Sequence, residues 1–80
     1  MVDFSGVDPD RVEPLYEQVA EVLRAAIKAG EVQPGYRLPS ESGIVQASGV
    51  SRLTARRAVQ LLVSEGLVTV VQGRGTFVKK

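Results

Sequence analysis

Eighty residues with neither cysteine nor histidine make one small domain, or one module of a longer protein. That composition excludes disulfides, thiolate zinc sites and thiol nucleophiles, and removes the commonest general base. The formal net charge of +1 hides a division, because residues 1–31 carry a net −4 and residues 32–80 a net +5. A basic binding face opposite a solvated acidic one fits that division, and so does a plain scatter of surface charge.

In chain order, residues 1–11 show no hydrophobic period and contain Gly6, Pro9 and three aspartates, so a flexible N-terminal arm is expected. The remainder, 12–80, reads as one domain. Leu15, Val19, Val22, Leu23, Ala26 and Ile27 recur at three-and-four spacing, which predicts a helix from Pro14 to Ala29. Pro14 suits a first turn and Gly30 a helix end. Pro34-Gly35 marks a turn, and Tyr36–Leu38 a short extended piece.

Ser40 is the expected cap of a second, short helix, with Glu41 favourably placed at its positive end and Ile44, Val45 and Ala47 on its packing side. Gly43 is unusual there, costing about 1 kcal/mol relative to alanine. Gly49 supplies a tight turn, and Ser51 caps a third helix running from Arg52 to about Glu65. Val50 and Ala55 are spaced to staple its start. After Gly66, two strand-like runs flank Gly73-Arg74-Gly75 as a hairpin. No apolar run reaches membrane-spanning length and no signal peptide is evident, so the cytoplasm is the expected location.

The third helix carries the functional signal. Ala55, Ala58, Val59 and Leu62 fall on one face, and Leu53, Arg56, Arg57 and Gln60 on the other. A short helix with a buried stripe and arginines in front is what a DNA major groove admits. Arg52 and Arg56 are one turn apart near the helix start, and each good bidentate arginine–guanine pair gives about 1–3 kcal/mol of discrimination. Both are expected to project outward together, unburied, beside the hairpin tip. Leu53 either meets a thymine methyl or is a stray surface leucine. Ser40 and Ser51 are caps whose helix ends also suit phosphate. Thr54 bonds phosphate or completes the first turn, while Arg57 touches a phosphate or pairs with an acid. Arg37 and Arg74 are the other expected electrostatic contacts. Tyr16 and Tyr36 read as rim-of-core residues whose hydroxyls can reach a phosphate. Glu17 and Glu21 share a helix surface and read as solvated, so no catalytic or metal constellation and no cofactor is expected.

Three helices, a tight turn before the last, and a two-stranded β-hairpin make a mainly α (α+β) winged helix-turn-helix, with the helix-turn-helix at about 41–60 and the wing at about 67–79. From Pro14 to Val78 the chain resembles the DNA-binding domain of the GntR family of bacterial transcription regulators. The resemblance is carried in order by P-L-Y-E-Q-V (14–19), I-x-x-G (27–30), P-G-Y-R-L-P-S-E (34–41), G-V-S-R-L-T-A-R-R-A (49–58), L-x-x-E-G-L-V (62–68) and G-R-G-T-F-V (73–78). It implies operator recognition, more often for repression, as a dimer on palindromic double-stranded DNA. It places groove-reading positions on Ser51, Arg52, Leu53, Thr54 and Arg56, and the wing contact on Gly73 with Gln72 and Arg74 beside it. It also implies a carboxy-terminal effector-binding and dimerising domain, which these residues do not include.

Two positions depart from the family pattern. Ser42 and Gly43 stand where an arginine and another charged residue are usual, leaving the Ser42 hydroxyl as the only phosphate contact there, and Leu53 replaces a polar or small residue. Both departures suit an alternative function, a winged helix used for protein–protein docking.

Overall fold

A computed structural model describes residues 2–80. The elements are α1 (Leu15–Lys28), α2 (Glu41–Ser48), α3 (Arg52–Ser64), β1 (Val68–Val71) and β2 (Gly75–Val78). The apolar stripe of α1 places Val19, Ala20, Leu23 and Ala26 in the interior, with Leu15, Val22 and Ile27 half-buried beside them. Leu23, Ile44 and Leu62, one from each helix, are the largest apolar side chains fully withdrawn from solvent. Ala55 and Ala58 are also wholly buried. Their small side chains let the α3 backbone come close to its neighbours.

The helix ends follow the chemistry of their flanking residues. Ser40 Oγ accepts from the Gly43 amide at 3.0 Å and Ser51 Oγ from the Thr54 amide at 3.1 Å, so α2 and α3 both start on a serine cap. Val50 and Ala55, the expected staple, are both buried. Gly49 joins the two helices at φ 78°, a left-handed conformation that a Cβ disfavours. At the ends of α1 and α3 the same paired bonds recur. Gly30 and Glu31 donate to Ile27 and Ala26, and Gly66 and Leu67 donate to Val63 and Leu62.

The hairpin is antiparallel, with Val68 opposite Val78 and Val71 opposite Gly75. The Arg74 amide closes its turn onto the Val71 carbonyl at 2.9 Å. The extended piece at 36–38 lies along the far edge of β2. Leu38 donates to Thr76 at 2.8 Å, Val78 to Tyr36 at 2.9 Å, and Arg37 bridges Phe77. The wing is thus tied on one side to the end of α3 and on the other to the segment leading into α2. Three helices followed by this hairpin form a winged helix-turn-helix.

The flexible arm expected over 1–11 is the point of disagreement; its Met1 lies outside the described residues. Phe4 is only 5% exposed and joins the core, with Val2 and Val7 against it. The buried Gln18 side chain fastens the segment. Its Oε1 accepts from the Asp8 amide at 2.8 Å, and its Nε2 donates to the carbonyls of Asp8 at 2.9 Å and Glu13 at 2.7 Å. A side-chain amide that satisfies three backbone groups out of water replaces the secondary structure the segment lacks. Periodicity does not reveal this, because one phenylalanine and a glutamine on another element make no pattern.

Phe4→Ala should therefore lower unfolding free energy by about 3 kcal/mol, measured by urea titration; an unchanged midpoint would mean the segment adds nothing to the core. The Arg24 guanidinium grips Glu65 through Nε at 2.9 Å and Nη2 at 2.7 Å, joining α1 to the end of α3. Those hydrogen bonds hold the Glu65 carboxyl below its ordinary 4.5. A depressed carboxyl contributes stability above its unfolded value and loses it as pH falls through the folded one. Glu65→Gln should accordingly flatten the decline of the melting temperature below about pH 4.5, read by thermal unfolding across an acid series.

Candidate nucleic-acid interface

The exposed face of α3 is the one expected. Arg52, Leu53, Arg56, Arg57 and Gln60 are all at the surface, while Ala55, Ala58 and Leu62 are inside. Leu53 is 63% exposed.

Arg52 and Arg56 lie together, but they are not unpaired. Arg56 Nε donates to Glu41 Oε2 at 3.1 Å and Nη2 to Oε1 at 3.3 Å. Arg52 Nη1 donates to Ser42 Oγ at 3.2 Å and stands 3.9 Å from Glu41 Oε1. One carboxylate at the first position of α2 therefore gathers both guanidinium groups of α3. The arginine side chains stay 58% and 53% exposed against 33% for Glu41, so the pairs sit at the surface and the arginines still face outward. The hydrogen bonds from Arg56 hold the Glu41 carboxyl below its usual range, aided by the nearby charges and opposed by partial burial. The same contact raises Arg56.

The remaining residues divide by what already holds them. Ser40 spends its oxygen on the α2 cap. Thr54 Oγ1 accepts from Ser51 Oγ at 2.9 Å, which completes the first turn of α3. Ser42 is bonded to Arg52. Arg57 makes no ion pair among the described residues; its guanidinium lies 4.4 Å from the centroid of the Tyr16 ring, a cation–π contact between α3 and α1. Arg37 Nη1 donates to the Arg74 carbonyl at 3.2 Å, so its head is engaged at the wing. Gln72, Gly73 and Arg74 are exposed at the wing tip.

A cleft of about 670 Å³ joins these parts, with Arg37 and Arg74 on the wing side and Ser40, Glu41 and Ser42 on the α2 side. The carboxylate that collects the α3 arginines thus faces the same cleft as the wing arginine. Sequence reasoning assigned Glu41 only to the helix dipole and missed this role. Its available signal was an acid in a strongly basic stretch, one of just two after residue 31. The Tyr16–Arg57 stack left no signal, because only the crossing of α1 and α3 brings the two together.

Residues 15–78 match the model described as bacterial regulatory proteins, gntR family. The chain belongs to the GntR family. It is 49% identical over 67 residues to the transcriptional repressor NagR of Bacillus subtilis, covering 84% of this chain and 28% of NagR. With the repressor MngR of Escherichia coli the identity is 44% over 68 residues, covering 85% and 28%. The chain thus spans little more than a quarter of these relatives' length. Among solved structures it resembles YtrA from Sulfolobus acidocaldarius, a GntR-family transcription factor, with TM-score 0.86 and 36% identity, covering 98% of this chain and 82% of that one. It also resembles AraR(DBD) in complex with operator ORE1, with TM-score 0.82 and 42% identity, covering 89% and 87%. No helix among the described residues is long and apolar enough to cross a membrane.

Within this GntR-family wing, Gly75 has φ 125°, and a Cβ there would lie 2.8 Å from Arg37 Cδ. Gly75→Ala should destabilise the domain by about 1–3 kcal/mol, read as a lower melting temperature. Arg37→Ala in the same background should recover part of the loss by clearing the contact.

Proposed function

We propose that the chain binds double-stranded DNA sequence-specifically to regulate transcription, with α3 in the major groove and the wing tip at the minor groove. The observation that carries this is the pair of outward-facing arginines, Arg52 and Arg56, one turn apart at the start of α3, whose partners Glu41 and Ser42 line one cleft with wing Arg74. The amino-terminal turns of a recognition helix are the part that reaches base edges. Arginine matches guanine O6 and N7, and Leu53 offers an apolar surface for a thymine methyl. Arg74, between glycines, suits the narrow minor groove, with Gln72 and Gly73 beside it.

Backbone contacts are assigned by what each group has left to offer. Ser40, Ser51 and Thr54 lie at helix starts whose amides favour phosphate oxygens. Ser42 and Arg57 approach the backbone from the edges of the helix-turn-helix. Arg37 contributes chiefly by holding the wing, since its head is already bonded to Arg74. Repression is the favoured outcome, supported by the repressor relatives NagR and MngR. Two copies on a palindromic operator, in the cytoplasm, complete the reading. An effector-binding, dimerising region of the kind implied by the family would belong to a longer protein.

The exposed Leu53 favours one other reading, in which α3 docks on a protein partner. Salt separates the two, because phosphate neutralisation releases counterions and apolar docking does not. A mobility-shift series on duplexes selected from a random pool should show affinity falling steeply with salt. Arg56→Ala should remove preference among sequences, at a cost of about 1–3 kcal/mol against the best duplex. Arg74→Ala should weaken all duplexes alike and reduce the salt slope by about one. Salt-insensitive binding, or operator binding untouched by both changes, would overturn the assignment.

A further inference from the structure

Resting on the DNA-binding reading above, we infer that Glu41, with Ser42 beside it, is a positioning residue for base readout, holding the two α3 arginines in reading geometry. A guanidinium has five N–H groups in one plane. Glu41 takes one on Nε and one on Nη2 of Arg56. That leaves two on Nη1 and one on Nη2, and the outward-pointing pair from Nη1 and Nη2 forms the end-on fork that matches guanine O6 and N7. The carboxylate thus occupies the side edge of the group and orients its far end. Ser42 holds Arg52 by a different atom: Nη1 donates to Ser42 Oγ at 3.2 Å and stands 3.9 Å from Glu41 Oε1, so the Nε–Nη2 edge of Arg52 is the one turned to a base.

Ser42 suits this arrangement. A cation at that position would compete with Arg52 and Arg56 for Glu41, whereas the serine hydroxyl accepts from Arg52 and leaves the carboxylate to both arginines. Glu41 is itself fixed from behind, as the first residue of a helix capped by Ser40. An arginine so held loses less side-chain freedom on meeting a base than one swinging in solvent.

The carboxylate has a second effect, of opposite sign for affinity. It lies on the face that meets phosphates and repels them wherever Arg56 is not matched to a base. Attraction to arbitrary duplexes is lowered while the matched contact is kept, so specificity is gained partly through a repulsive element.

The test uses the 80-residue chain, a duplex selected from a random pool, and the same duplex with the guanine that Arg56 reads replaced, compared by fluorescence anisotropy. Glu41→Gln keeps the shape and removes the charge. It should lower discrimination between the two duplexes by about tenfold while binding to an unrelated duplex stays the same or tightens. In an Arg56→Ala background the same change should leave discrimination unmoved, because no fork remains to orient. Equal discrimination in Glu41→Gln and wild type, or an equal loss of affinity for every duplex, would overturn the positioning role while leaving the DNA-binding reading intact. A wild-type chain without preference among duplexes would overturn both.

Discussion

The close seating of α3 is the constraint on which every outer contact depends. Ala55 and Ala58 present almost nothing beyond the backbone, and Leu62 fills the space beneath with Leu23 and Ile44. Helices meeting over such small residues have little room to rotate, since a methylene more or less in a close-packed interior is felt by its neighbours. The azimuth of α3 is therefore set from the inside, and its outer face inherits that setting. The wing inherits it too, because only three residues separate α3 from β1 and Val68 of β1 is drawn into the same core. Arg74 stands at a defined place relative to Arg52 and Arg56 only because both elements answer to one core.

On that rigid frame the polar contacts contribute geometry more than stability. The Glu41 cluster lies at the surface, where solvent screening leaves ion pairs with little net effect on folding. Its consequence is directional, since a planar guanidinium held on one edge can point its other edge in only a few ways. The Arg57–Tyr16 stack and the Arg37–Arg74 bond follow the same logic. Each takes a long cation that would otherwise sweep through solvent and assigns it a direction, along α1 in one case and under the wing in the other. The basic half of the chain is thus an ordered set of charges rather than a diffuse patch.

Much of this was legible in the residue order. The serine caps, the glycine punctuation and the three-and-four periodicity of α1 and α3 are local, and local chemistry acts within a few residues of itself. The same holds for the hairpin around Gly73-Arg74-Gly75. The inward and outward faces of α3 follow from its period, so the exposure of Arg52, Leu53 and Arg56 could be read before any coordinates. The N-terminal segment escaped that reading because its order rests on Phe4 entering a core built by distant residues and on one amide from Gln18 reaching back to Asp8.

By itself, then, the sequence determined the elements, their ends and which face of α3 is exposed, since each of these depends on neighbours close along the chain. Only the tertiary structure decided what the candidate site side chains touch. Glu41 and Arg56 are fifteen residues apart, and Arg37 and Arg74 thirty-seven. No periodicity links positions so separated. Their meeting is a product of how helices and hairpin cross over a shared interior, where packing shape selects one arrangement among the many that the same local patterns allow.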